Sequence, residues 1–231
     1  MYRRNAKLAP WLGSLVAALL VLVAGACGGG GGGSGGGEQE GPKAHAIPKS
    51  GKPLSPGEYA TKVFEPGFSF RIGEGWVSLT TEKPDAVVLG EANGPTLIGF
   101  LNVEKVFDPN EPKGELRSAP EDMVAWLQEH PRLDAEDPSR VSVGGISGQQ
   151  FDAIASEPTK SATFCAEPCV PLFAIRTDTF WVGKSEKYRF IVLEDVEGQT
   201  VTIFFGGPAV EFDESLPKAQ KVLDTVKWEG G

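Results

Sequence analysis

The residues able to do chemistry are few: three cysteines, two histidines, a scatter of the 31 acids, and one serine between glycines. Cys165 and Cys169 bracket the stretch CAEPC. A thioredoxin-type redox centre has two residues between its cysteines at the start of a helix. Here three intervene, one of them Pro168, which argues against dithiol exchange. Zinc would need two further ligands beside that pair, and only His45 and His130 exist, so no metal is expected. His130 follows Met123, Trp126 and Leu127 at helical spacing and precedes Pro131, so it reads as a helix-end residue rather than a general base. Ser147 in GGISGQQ lacks the second spacer of G-x-S-x-G and reads as a turn serine. Glu121, Asp122, Asp134 and Asp137 are candidate acid/base carboxylates, but acids flanking a helix ordinarily serve its dipole and solubility. Asp108-Pro109-Asn110 reads as a turn, because the glycine and terminal glutamate of an EF-hand loop are missing. The expectation is a domain without catalytic residues, metal or cofactor.

The third cysteine, Cys27, stands in a different setting. A basic patch, Arg3-Arg4-Asn5-Ala6-Lys7, leads into 16 residues from Trp11 to Ala26 that are apolar or small. A stable membrane span wants about 20, so the run suits the core of an export leader. Ala24-Gly25-Ala26 before Cys27 resembles a bacterial lipobox, which implies cleavage at residue 26 and a diacylglyceryl group on the Cys27 thiol. Ala24 departs from the leucine commonest there. The ten residues that follow are nine glycines and a serine. Polyglycine has no preferred fold, so residues 27–57 read as a tether, stiffened by Pro42, Pro48, Pro53 and Pro56, with His45 solvated. The expected address is the outer face of the cytoplasmic membrane. With Cys27 acylated, Cys165 and Cys169 remain as an even pair in an exported protein, which favours a disulfide. The chain-entropy model gives about 2 kcal/mol for so short a loop.

The net charge of −9 becomes −12 once residues 1–26, which hold three cations and no acid, are removed. Such a surface repels phosphate backbones, so nucleic acid is not an expected partner.

These residues must be positioned by the segment from 58 to 231, read as one domain. Tyr59 to Phe64 and Gly67 to Ile72 are strand-like, and AVVLGE and TLIGFLNV flank Asn93-Gly94-Pro95 as a hairpin. Ser118 has capping-box spacing to Glu121 ahead of a helix. RVSVGG and GQQFDAIA form a second hairpin. Lys187 to Leu193 and Thr200 to Phe205 form a third, around a turn of five or six residues containing Gly198. Phe190 and Val192 lie on one face, Ile191 and Leu193 on the other, so this strand is covered on both sides. A closing amphipathic helix must place Pro217 in its first turn. A tryptophan left at the surface beside Phe180 would mark a docking patch.

PGFSFRIGEGW (Pro66 to Trp76) and the stretch from Tyr188 to Trp228 resemble envelope lipoproteins of actinobacterial type, whose domain is similar to the Mog1/PsbP-like fold. The resemblance covers about a quarter of the chain and contains core and turn residues only. It implies an α+β domain, an α/β/α sandwich around an antiparallel sheet, that docks onto other proteins. The expected function is a lipid-anchored binding or scaffold domain with a protein partner in the envelope. An envelope hydrolase using acidic residues and a small-ligand carrier are the alternatives, and the oligomeric state is open.

Overall fold

The computed structural model describes residues 44–111, 114–158, 168–175 and 178–230. In chain order the first elements are β1 (His45–Ala46), β2 (Pro53–Leu54), β3 (Gly57–Ala60), β4 (Phe68–Ile72), β5 (Trp76–Ser78), β6 (Ala86–Glu91) and β7 (Leu97–Leu101). Next come β8 (Lys105–Phe107), β9 (Leu116–Ser118), α1 (Met123–Gln128), β10 (Leu133–Ala135), β11 (Ser139–Val143) and β12 (Ile146–Ala155). The last are β13 (Cys169–Ile175), β14 (Asp178–Gly183), β15 (Glu186–Val196), β16 (Gln199–Pro208), α2 (Phe212–Leu223) and β17 (Lys227–Trp228).

The three longest strands, β12, β15 and β16, sit side by side in a central antiparallel sheet of order β10-β12-β15-β16-β7-β6-β5-β2, with β11 also paired to β12. Alternation along β15 creates two cores. Ile191 and Leu193 face one, with Phe68, Phe70, Phe100 and the α2 residues Phe212, Ala219 and Val222. Phe190 and Val192 face the other, with Met123 and Leu127 of α1 and Val170, Phe173 and Phe180 of β13 and β14. The central strands are therefore apolar on both faces, as the late hairpin requires.

The outer layers differ from the α/β/α expectation. Each face carries one helix and also a four-stranded sheet: β1-β3-β4-β17 joins α2, and β14-β13-β8-β9 joins α1. Strands dominate because α1 has six residues and cannot cover its side alone. On the other side, Lys218 of α2 donates to Glu91 at 2.6 Å. Burial alone would raise the Glu91 pKa, but the bonds from Lys218 and Thr96 outweigh it and hold it below the usual range.

The local corrections have physical causes. The tether does not run free to Gly57: β1 pairs parallel with β3, β2 pairs with β5, and Ile47 and Leu54 are buried. Two apolar residues among the prolines suffice to draw that segment onto the sheets. The α1 cap is Asp122, whose carboxylate accepts the Ala125 N–H at 2.8 Å, while Ser118 ends β9. The β15–β16 turn is two residues, with Glu197 and Gly198 at φ 54° and 81°. Val196 is fully buried, which prolongs the pairing past Leu193 through a bulge. The β11–β12 turn is Gly144-Gly145, both at positive φ, so Ser147 stands in the strand opposite Ser142. α2 starts at Phe212, and Pro217 falls in its second turn. The Asp213 carbonyl thereby loses its helical donor on an exposed side of the helix.

Candidate functional site

A cleft of about 280 Å³ opens on the α1 side of the central sheet, where the small sheet ends. Ala86 and Val88 of β6, Leu97 of β7 and Phe204 of β16 line it from the central sheet, and Thr179, Phe180 and Trp181 of β14 line it from the small one. Leu79 and Thr80 face them from the connection between β5 and β6.

Two glycines shape this lining. A Cβ on Gly90 would come within 2.7 Å of the Leu79 side chain, and one on Gly99 would collide with the Phe204 ring. Their absence lets Leu79 pack against β6 and Phe204 lie across β7, where its ring centroid is 4.1 Å from that of Phe180. Gly99→Ala should therefore overpack a fully buried ring and lower stability by about 1–3 kcal/mol, measured by urea unfolding.

The polar residues of the lining include Thr80, Lys83, Asp178, Glu186 and Tyr188. The buried Tyr188 hydroxyl donates to Glu186 Oε2 at 3.3 Å, and the same oxygen accepts the Gly183 N–H at 2.8 Å. Burial, reinforced by the Glu186 carboxylate, pushes the phenol well above its usual pKa, so it stays protonated and donating. Lys83 stands at the rim.

Ile175, Asp178 and Thr179 also line a neighbouring recess of about 540 Å³ with Asp85 and Glu104. Asp85 and Glu104 in turn border a third depression of about 460 Å³ with Glu65, Asn102 and Glu121. The three adjoin across these shared residues, so a mainly apolar cleft lies beside two acidic depressions; together they are called the trough.

The residues singled out in the sequence are dispersed. Cys27 and Cys165 lie outside the described residues. Cys169 is fully buried at the head of β13. His45 is exposed on β1, its ring 5.4 Å from Tyr59. Asp122 is spent on the α1 cap, Asp134 and Asp137 are exposed, and Glu121 lines the acidic end of the trough. Asp108 is buried, ion-paired with Arg117, and accepts the Asn110 N–H at 3.0 Å, so its carboxylate serves the turn. Trp181, beside Phe180, is half-buried in the cleft wall. Asp85, Glu104 and Asp178 went unnoticed because their segments are far apart in the chain.

No family model matches the chain, and no curated protein matches it. Among solved structures the chain is similar to the crystal structure of LpqN, described as involved in cell envelope biogenesis of Mycobacterium tuberculosis. The identity is 11%, over 74% of this chain and 90% of that one, with a TM-score of 0.34. An overlap that loose transfers neither a fold nor a role.

Proposed function

We propose that the protein is a non-catalytic binding module of the cell envelope, anchored through acylated Cys27 to the outer face of the cytoplasmic membrane, whose site is the apolar cleft. The observation that carries the binding role is that cleft, lined mainly by apolar side chains such as Val88, Leu97, Phe180 and Trp181 with a smaller set of polar ones, the usual make-up of a ligand site. The leader, the small residues before Cys27 and the glycine run support the address. The Mog1/PsbP-like arrangement belongs to the same reading, supported by one helix on each side of an antiparallel sheet. A disulfide from Cys169 to Cys165 belongs to it too, as does a protein partner in the envelope. Among the described residues no helix is long and apolar enough to cross a membrane.

Binding is favoured over hydrolysis by the character of the acids. Two carboxylates converging in a partly dry cleft would speak for a hydrolase. The recess instead holds one buried acid, Asp85, and two exposed ones, Glu104 and Asp178.

Two measurements test the proposal. Fatty-acid metabolic labelling should mark the wild-type chain in the membrane fraction and leave Cys27→Ala unmarked; equal labelling of both refutes the anchor. Native mass spectrometry of the full chain should show co-purified apolar mass that Leu97→Trp, which fills the cleft, removes. Unchanged mass in that variant refutes the site.

A further inference from the structure

We propose that the occupant of this trough is a cationic amphiphile with a single acyl or alkyl chain, its tail in the apolar cleft and its positive head over the acidic recess. The proposal rests on the reading of the cleft as a binding site and adds what the ligand must look like.

Three observations converge. The apolar cleft adjoins the recess: Ile175, Asp178 and Thr179 line both, so the Asp178 carboxylate stands where a chain lying on Val88 and Leu97 meets the recess. Among the described residues, the two depressions beyond the cleft are lined by Glu65, Asp85, Glu104, Glu121 and Asp178, against a single lysine, Lys105. A positive head is attracted there and a negative one repelled, and such complementarity sets specificity more than raw affinity. Finally, of the five large apolar residues exposed among the described residues, Leu79 lines the cleft and Leu116 lines the recess. Apolar surface left open along the trough fits a partner with a hydrocarbon part.

The geometry also argues against the two obvious relatives of this ligand. An anionic amphiphile would place its head against the recess carboxylates of Asp85, Glu104 and Asp178. A neutral one would fill the cleft and leave the recess to water, gaining nothing from it. Among the described residues Lys83 is the one cation in the cleft lining, and it lines neither of the other two depressions.

The test uses the full acylated chain in phosphocholine vesicles and three photoreactive dodecyl probes that differ only in the head: trimethylammonium, sulfate and maltoside. After irradiation, labelled peptides are located by mass spectrometry, each yield being corrected for the probe's partition into the vesicles. The expected result is labelling of the peptides carrying Val88 and Trp181, with the ammonium probe favoured over the sulfate probe by about tenfold, equivalent to about 1.4 kcal/mol. Asp178→Asn combined with Glu104→Gln should bring the ammonium-to-maltoside ratio down toward one. Equal labelling of the cleft by all three probes overturns the head-group inference while leaving the cleft as a binding site. No labelling of the cleft by any probe overturns both.

Discussion

Replacing Asp152 by alanine should cost about 3 kcal/mol, one of the largest losses expected from any single polar substitution in this protein. Asp152 is buried on β12 directly opposite Arg189 of β15. Arg189 grips it with two bonds, Nε to Oδ1 at 2.5 Å and Nη2 to Oδ2 at 3.1 Å. Lys187 Nζ lies 3.1 Å from Oδ2 and donates to Glu136 Oε1, also at 3.1 Å. The two cations pack over aromatic rings, Lys187 at 5.0 Å from Phe212 and Arg189 at 5.8 Å from Phe205. Burial disfavours the Lys187 charge, yet the bonds from Glu136 and Asp152 more than offset it and raise its pKa. Truncating the shared acceptor leaves Arg189 on a sheet face without its counter-charge and Lys187 with Glu136 alone, which is the expensive way to break a buried ion pair. The check is urea unfolding with an unchanged slope. Asp152→Asn should lose less, since it still accepts hydrogen bonds. Asp152→Leu with Arg189→Leu should recover part of the loss. If Asp152→Ala costs under about 0.5 kcal/mol, the network is a solvated surface cluster and the argument fails.

Stability should also fall on mild acidification, by about 3 kcal/mol between pH 6.5 and pH 4, through His130. This histidine is 3% exposed at the end of α1, its ring 5.1 Å from that of Trp126. Its Nδ1 accepts the Arg132 N–H at 3.3 Å, so the neutral ring carries its proton on Nε2, which is buried without a hydrogen-bond partner. Burial, helped by the Arg132 charge, lowers its pKa from 6.5 to about 4. The sign follows from proton counting. Above pH 6.5 the ring is neutral folded or unfolded and contributes no pH dependence. Between 6.5 and about 4 the unfolded chain takes up a proton that the folded chain refuses, so stability declines as pH falls. Below about 4 both states are charged and the loss is complete. The difference between wild type and His130→Gln, followed by denaturant unfolding from pH 7 to pH 4, isolates this contribution from the carboxylates. Parallel curves for the two proteins would show that His130 is not held neutral by the fold.

Much of the scaffold is legible in local residue patterns. Gly144-Gly145 between alternating segments announces the β11–β12 hairpin, since both positions need positive φ. The alternation Phe190, Ile191, Val192, Leu193 announces a strand buried on both faces, because side chains point to opposite sides at each step. Turn and cap details were harder to read. Asp122 and Ser118 are both able to cap, and the choice between them depends on β9 pairing with β8, a contact the helix sequence does not contain. Pro217 likewise tolerates a second-turn position because the side of α2 it shares with Asp213 faces solvent.

The chain's local chemistry, then, determined the strands, the two-sided core and the expectation of an exported, cysteine-anchored protein, because periodicity, turn residues and leader composition act over a few neighbouring positions. The cleft and its acidic extension were decided by the tertiary structure alone. Val88, Asp178 and Phe204 meet only after β6, β14 and β16 come from distant parts of the chain into adjoining sheets, and no local pattern records where one sheet stops short of covering another.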